Sequence, residues 1–536
     1  MKKNQLMTII AFVFAAQFIF ASQLTVEEKT LDFQQLLGRI KSSYGPLEYK
    51  KDILKIDIDQ LQTEYLRRIQ QSKTNDEFYY LITQFVAEFK DSHFAASNPS
   101  NRRSALPFSV DLVQGKVLVD EKNDSVPFTD ALTVQKGDEI THINGVPVQD
   151  IITSLLPYGG EGFDQTQKRI TTWRLMSRRA SSLPLMDGPV ELTIKSVGKA
   201  EIRSEKFEWI QTGEDLPETL EAVRARNNPP SYLKKLSVKS KFAKEFGDGK
   251  KIERNFFCSG TTRVEIPANA VKISETPFVS YYWPTAKGNV GYVRIGHYSP
   301  EGDDADKAIA LTVSQYQKVI GIMEKNTVGL IIDQDHNCGG YVDLVNKIVG
   351  LFMDKPYRPM SFKLVANKEN VLEYKKYIDE TDALSTLHDM ATSVFELLKT
   401  TWQQGVRMTG FTSLDGDEWI APNLVHYTKP VVMLIDEMSA SGGDAFPSLM
   451  QGYGRAKLLG TRTMGAGGHV GENAPLNYSQ IEVSMTRSMF FRPDGVPVEN
   501  NGAVPDYKYE ITVDDFVNGY KSYQKFYTEK LLALVK

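Results

Sequence analysis

Residues 430–446 read PVVMLIDEMSASGGDAF, and this stretch decides the fold class of the chain. The apolar run Val431–Ile435 predicts a buried β-strand, and the small residues after it predict a sharp turn into a helix. The same alternation of strand and helix runs through the C-terminal half. Apolar strands that alternate with helices indicate an α/β layer, which we assign to residues 286–536. Its other predicted elements are strands at 290–295, 328–333 and 456–460 and helices at 305–325, 342–353 and 370–405.

The turn at the end of this strand contains two serines, Ser439 and Ser441. A serine at the start of a helix lies beside backbone N–H groups that have no partner within the helix. If it acts as a nucleophile, those amides can stabilise a developing oxyanion. A serine that only caps the helix gives the same pattern and is the commoner outcome. Spacing alone leaves both interpretations open.

A second strand end carries the sequence DQDHNCGG at residues 333–340. The paired glycines, Gly339 and Gly340, let the backbone approach a ligand closely. Taken alone this signal is weak, because strand-to-helix turns commonly contain glycine.

Residues 22–104 are predicted to form an N-terminal helical domain. Thr74 and Glu77 have the spacing of a capping box, and apolar residues follow them at helical intervals. This last helix leads directly into Asp91-Ser92-His93.

Residues 105–211 have the sequence pattern of short strands and are predicted to form a mainly β domain. The stretch 137–148 reads GDEITHINGVPV, which predicts a hairpin and is similar to the core strand and turn of PDZ domains. PDZ domains bind peptides by adding a strand to a sheet edge. Residues 212–285 break this pattern with NNPP at 227–230 and a lysine-rich stretch at 234–254, so we interpret them as a linker or surface insert.

The first residues are typical of a secretory signal peptide at 1–21. Lys2 and Lys3 precede an apolar run from Leu6 to Phe20, and small residues mark the break. The run is shorter than the roughly 20 residues that a membrane-spanning helix needs. We therefore expect an exported protein, periplasmic or secreted, with no membrane association after signal cleavage; an uncleaved anchor is the alternative.

The overall composition is that of a globular protein and excludes collagen-like, disordered and disulfide-scaffold classes. The chain has 536 residues, of which 41% are hydrophobic, and a net charge of −4. This balance gives no electrostatic case for a nucleic-acid partner. Two cysteines cannot form a cysteine-based zinc site and allow at most one disulfide.

Several motifs together resemble the tail-specific, or C-terminal-processing, serine proteases of peptidase family S41. The resemblance covers most of the chain after residue 90 and implies a crotonase/ClpP-like α/β catalytic domain behind a PDZ-like domain. The motifs are NCGG at 337–340, SAS at 439–441, GYGRA at 452–456, GTRTMG at 460–465 and VENNGAVPD at 498–506.

One departure from the family pattern bears on the mechanism. Members that use a Ser–Lys dyad carry the lysine at the position of Ala466 in this chain. The sequence instead resembles the Ser-His-Glu branch, which includes the tricorn core and the chlamydial protease-like activity factor. That branch carries its histidine in a D-x-H motif after an N-terminal helix, which matches Asp91-Ser92-His93.

The resemblance implies a role for each matching residue. Ser441 would be the nucleophile, His93 the general base and Glu499 the carboxylate that supports the imidazole. The amide of Gly442, with that of Gly339 or Gly340, would form the oxyanion hole. Histidine suits this role because its pKa lies near neutral pH, and a carboxylate behind it fixes its tautomer.

Other residues of the same types remain as rivals. The chain has seven histidines, and without the resemblance they cannot be ranked; His336 and His469 lie near the serine motifs in sequence. Ser439 is the rival nucleophile. Cys338 falls in the oxyanion turn and is interpreted as incidental, and the residues leave open whether it pairs with Cys258. The remaining histidines are His142, His297, His388 and His426.

The sequence therefore predicts a serine endopeptidase that acts on proteins or peptides through an acyl-enzyme, with no metal or organic cofactor. The alternative is an inactive peptide-binding protein of the same fold, motivated by the missing dyad lysine. By resemblance to the Ser-His-Glu branch we further expect a homodimer and a self-processed zymogen, with 212–285 as an inhibitory insert.

Overall fold

The computed structural model describes residues 23–122, 132–214, 258–300, 305–381, 383, 386–414 and 418–536. The predicted signal peptide and most of the predicted insert, including its lysine-rich stretch, lie outside these ranges. Within them, no helix is both long and apolar enough to cross a membrane.

The N-terminal domain is helical, as its sequence predicts. Capping boxes at Thr25 and Thr74 begin the first and fourth helices, because each threonine side chain accepts a hydrogen bond from the third helical residue. The apolar faces of these helices, with Phe33 and Phe85 in contact, form one core. This core also includes Val483 of the C-terminal α/β domain, which the sequence predicts to be the catalytic domain. The helices are α1 (Val26–Ser43), α2 (Leu47–Asp52), α3 (Ile58–Gln71) and α4 (Asn75–Ala87).

The second domain is a mainly β unit built on one antiparallel sheet. Its strand order is β3-β4-β5-β8-β9, with β6 paired to β5 across the predicted hairpin. The strands are β3 (Phe108–Val113), β4 (Lys116–Lys122), β5 (Glu139–Ile143), β6 (Val146–Pro147), β8 (Pro189–Lys195) and β9 (Ile202–Glu208). Its helices are α5 (Val148–Leu155) and α6 (Asp164–Met176).

The catalytic domain is built on a seven-stranded sheet in the order β11-β12-β13-β14-β16-β17-β21. Strands β13 to β21 along this order pair in parallel, whereas β11, β12 and β13 pair antiparallel. The strands are β11 (Val271–Ser274), β12 (Ser280–Thr285), β13 (Gly288–Arg294), β14 (Gly329–Asp333), β16 (Val431–Ile435), β17 (Lys457–Gly460) and β21 (Tyr507–Lys508). The predicted α/β fold class is thus confirmed.

Alternate residues of these strands point to opposite faces of the sheet, as the two-residue period requires. On one face, Met433 packs with the helices that follow the central strands; on the other, Val432 packs with the C-terminal helix and with Val113 and Leu118 of the β domain. The helices are α7 (Ala305–Asn326), α8 (Val342–Val349), α9 (Lys368–Glu380), α10 (Thr386–Gln403), α11 (Gly442–Gly452), α12 (Val513–Val517) and α13 (Lys521–Leu534).

The predicted linker at 212–285 is wrong at its C-terminal end. Strands β11 and β12 fall inside that range and form the antiparallel edge of the catalytic sheet. Their side chains include Tyr281 and Trp283, which are buried. The catalytic domain therefore begins before residue 286. Sequence reasoning missed this because the preceding charged stretch obscured where the insert ends.

In the described part of the chain, eight short strands lie outside the two larger sheets, and one of their pairings joins the N-terminal domain to the C-terminal α/β domain. Strand β1 follows the N-terminal helices and pairs with β19 of the catalytic domain, so the segment that carries His93 is held against that domain. These short strands are β1 (Ala95–Ser97), β2 (Arg103–Ala105), β7 (Ser177–Arg179), β10 (Ile210–Thr212), β15 (Ser361–Leu364), β18 (Val470–Glu472), β19 (Glu482–Thr486) and β20 (Ser488–Phe491).

Candidate active site

Ser441 lies at the sharp turn between strand β16 and helix α11. Its backbone has φ 58° and ψ −110°, a left-handed conformation that is uncommon for a residue with a side chain. Strained residues of this kind concentrate at functional sites, where the surrounding structure holds them. Ser441 is half-buried and sits at the helix N-terminus, where backbone amides stabilise negative charge.

The carboxylate of Asp444 holds this turn in place. It accepts hydrogen bonds from the amides of Ser441 at 2.7 Å, Gly465 at 2.8 Å and Ala466 at 3.0 Å, and from the hydroxyl of Thr463. Burial raises the pKa of Asp444 to about 6 in spite of these donors. Sequence reasoning missed Asp444, although its spacing from Ser441 is that of a capping box.

Ser439, the rival nucleophile, is fully buried and engaged elsewhere. Its hydroxyl donates to the carbonyl of Gln334 at 2.9 Å and contacts a carboxylate oxygen of Asp436 at 3.1 Å. These bonds join the two turns at the ends of β14 and β16. Ser439 is therefore a structural residue of the site.

The glycine turn at 339–340 packs directly against the serine turn. A Cβ on Gly339 would lie 2.7 Å from the Ser441 Cβ, so only glycine allows this approach. The Gly339 amide, however, donates to the Asn337 side chain at 2.8 Å and is not available to an oxyanion. Among the hydrogen bonds of the described residues, the amides of Gly340 and Gly442 have no acceptor. The geometry thus removes Gly339 from the predicted oxyanion donors and keeps the other two.

His93 lies in the turn after α4 and is buried. The Asp91 carboxylate accepts from the His93 amide at 2.8 Å and from the Tyr44 hydroxyl at 2.9 Å, and Ser484 donates to the His93 carbonyl at 3.2 Å. The aspartate of the D-x-H motif therefore fixes the backbone of its histidine through a hydrogen bond within the motif.

Glu499 is fully buried in the closing motif. Its carboxylate accepts from the Gly467 amide at 2.9 Å and forms an ion pair with Lys50, a residue that sequence reasoning missed. Burial, followed by the nearby charge of Asp91, raises the pKa of Glu499 to about 7, against the opposing effect of Lys50.

The loop Gly465–His469 connects these groups. Its first two amides bind Asp444 under the serine turn and the next amide binds Glu499. The loop then leads into β18, which lies in the same three-stranded sheet as β1, the strand that follows His93. The structure thus brings the surroundings of Ser441, His93 and Glu499 together along one five-residue loop.

Ala466, at the position where the resemblance places the dyad lysine, is fully buried. It belongs to a small apolar cluster with Met438, Ala440, Met464 and Ile170.

The two rival histidines near the site are poor general bases. Burial and Arg487 lower the pKa of His469 to about 4, and its Nδ1 lies 2.8 Å from the Ser488 hydroxyl. Burial and two nearby guanidinium groups hold the pKa of His336 well below its usual range, and the ring pairs with Asp436. A base needs a pKa near the working pH. His142, His297, His388 and His426 each form a hydrogen bond with a residue close in sequence.

The residues described by the structure contain no group of three or more His, Cys, Asp or Glu side chains that could hold a metal ion. The two cysteines, Cys258 and Cys338, form a disulfide with a Cα–Cα distance of 5.2 Å. This settles the pairing that the sequence left open, and it places a covalent link next to the glycine turn.

Comparison with known proteins agrees with this architecture. A model of peptidase family S41 matches residues 289–509, and a PDZ domain model matches residues 102–220. A protein of Chlamydia muridarum is 25% identical over 95% of this chain and 92% of its own length. The carboxy-terminal-processing protease of Bartonella bacilliformis is 28% identical over 17% of this chain and 21% of its own length.

A solved structure shows the fold. The structure of mature CPAF complexed with lactacystin is 21% identical and has a TM-score of 0.78, over 95% of this chain and 99% of that one. The S41 match makes this chain a serine-type peptidase. The chain contains an S41 peptidase domain at residues 289–509, with a PDZ domain and N-terminal helices before it.

Proposed function

We propose that this protein is an exported serine endopeptidase that cleaves protein substrates through an acyl-enzyme, with Ser441, His93 and Glu499 as its triad. The observation that carries the proposal is the strained backbone of Ser441, held by Asp444 at the start of a helix and linked through the 465–469 loop to Glu499 and His93.

The residue types supply each step of peptide hydrolysis. His93 takes the proton of the Ser441 hydroxyl as its oxygen attacks the scissile carbonyl carbon, and the amides of Gly442 and Gly340 bind the oxyanion that forms. His93 then gives the proton to the leaving amine, and the C–N bond breaks. In the second half, His93 activates water, which attacks the ester and releases Ser441. Glu499 favours the imidazolium in both halves.

The proposal is tested by labelling with a fluorophosphonate probe, which phosphonylates an activated serine hydroxyl. We expect stoichiometric labelling of the wild-type protein and none of Ser441→Ala, because Ser439 is buried and hydrogen-bonded. Mass spectrometry of the labelled peptide identifies the serine. An unlabelled wild-type protein would instead favour the inactive peptide-binding protein.

Export, self-processing and dimer formation are further parts of the proposal, supported by the signal-like N-terminus and by the resemblance to the Ser-His-Glu branch. The candidate segment is the predicted insert at 212–285, whose lysine-rich stretch at 234–254 lies outside the described part of the chain. If it is processed by the protein's own site, wild type should become two fragments on a denaturing gel while Ser441→Ala remains one chain. Identical gel patterns for the two proteins would contradict self-processing.

A further inference from the structure

Lys50 carries a fully buried ammonium on helix α2, in the middle of the candidate site. It donates to the Glu499 carboxylate, to the Lys90 carbonyl at 3.0 Å and to the Asn500 side-chain oxygen. A lysine ammonium has three donors and no acceptor. These three partners therefore use all of its hydrogen-bonding capacity.

The three acceptors belong to the two segments that carry the proposed base and its carboxylate. Lys90 begins the turn that ends in His93, whereas Glu499 and Asn500 belong to the closing motif. The Asn500 side chain also donates back to the Lys90 carbonyl at 2.8 Å. Lys50 thus joins two segments that are far apart in sequence and that must be held in register for catalysis.

The contact between Lys50, Lys90 and Asn500 is tightly packed. A Cβ on Gly162, in the PDZ domain, would lie 1.9 Å from the Asn500 side-chain nitrogen and 3.2 Å from the Lys90 carbonyl oxygen. The segment before α6 therefore lies directly over it, and a displaced Lys90 or Asn500 would have no room to move on that side.

Lys50 is also the cation that compensates the buried carboxylate. Besides the proposed base His93, the groups Asp91, Tyr44 and Tyr49 interact with Glu499, and none of these three carries positive charge. The Gly467 amide supplies one neutral donor. A carboxylate buried without a compensating cation becomes protonated at higher pH than usual.

We propose that Lys50 is a positioning residue of the active site: its ammonium holds Glu499 ionised and fixed against the turn that carries His93. This proposal rests on the catalytic roles proposed above for His93 and Glu499. Without the ammonium, Glu499 stays protonated above neutral pH and no longer favours the imidazolium.

Lys50 does not replace the missing dyad lysine as a base. A lysine base must be neutral, whereas Lys50 is ion-paired and its three donors are engaged. Arginine cannot lose its proton in a protein, so a Lys50→Arg variant separates the two roles.

The test measures the rate at which a fluorophosphonate probe labels Ser441 between pH 5 and pH 9, in the full-length protein. We expect Lys50→Met to label at least about tenfold more slowly than wild type at pH 7 and to approach the wild-type rate at pH 9. This corresponds to a shift toward higher pH, by roughly one pH unit or more, of the pH at which the labelling rate falls on acidification. The labelling rate of Lys50→Arg should fall at the same pH as that of wild type.

The matched control is Lys457→Ala, which removes a half-exposed lysine that pairs with Asp506 at 2.9 Å and should leave the profile unchanged. A Lys50→Met rate that falls by the same factor at every pH, or not at all, would overturn the proposal, and so would loss of labelling in Lys50→Arg alongside a normal fold. If Lys50→Met does not fold, the double variant Lys50→Met/Glu499→Gln removes both charges. A labelling rate that falls on acidification at the same pH as in wild type would then overturn the proposal equally. An unlabelled wild-type protein would instead contradict the proposed function itself. Failure of the proposed function can therefore be told apart from failure of the role proposed for Lys50.

Discussion

Ser441→Ala is expected to lower the turnover of protein substrates by about four to six orders of magnitude. The physical reason is that the remaining site can still bind substrate and its oxyanion but cannot form the ester intermediate. The backbone of the turn should survive, because Asp444 binds the amide and not the side chain of residue 441. The measurement is the hydrolysis rate of a labelled protein substrate, with circular dichroism to confirm the fold.

Two companion variants make this result specific. His93→Ala should lower turnover to a similar extent, and the double variant should be no worse than either single one, because residues that act as a unit are not additive. Lys457→Ala should retain turnover, since that exposed lysine bonds only to Asp506 in the described structure. Peptidase activity that persists in Ser441→Ala would refute the assignment of the nucleophile.

Much of the fold could be predicted because it depends on local patterns. The run Val431–Ile435 forms the central strand β16, and Thr74 caps helix α4 with the predicted reciprocal bonds. Such elements are specified by apolar periodicity and by capping residues a few positions away. The closeness of the turns at the strand ends can also be predicted, since neighbouring parallel strands end at the same edge of a sheet.

The contacts that complete the site could not be predicted, since they join residues that are far apart in sequence. Lys50 and Glu499 are separated by 449 positions, and no short motif marks Lys50 as buried. The availability of an amide is likewise a tertiary property: Gly339 and Gly340 look alike in sequence, but only the first is occupied by the Asn337 side chain. Burial, which sets the pKa shifts of Asp444 and Glu499, is also decided by packing.

The second large effect is expected from the disulfide between Cys258 and Cys338. Its cysteines are 80 positions apart, so it closes a long loop that includes strands β11 to β14. By the loop-entropy relation, such a cross-link stabilises the folded state by about 4 to 5 kcal/mol relative to the open chain. Replacing both cysteines by serine should therefore lower the urea midpoint of the catalytic domain strongly.

The effect on activity should be smaller than the effect on stability, because other bonds hold the same segment. The Cys258 amide donates to the His336 carbonyl at 3.1 Å, and Arg294 donates to the carbonyls of Ser259 and Thr261 at 3.1 and 3.0 Å. The glycine turn should thus stay near Ser441 below the unfolding transition. The experiment compares the double serine variant with wild type, both with and without a thiol reductant. Reductant should destabilise wild type to the level of the variant and leave the variant unchanged; equal urea midpoints for oxidised wild type and variant would refute the stabilising role of the link.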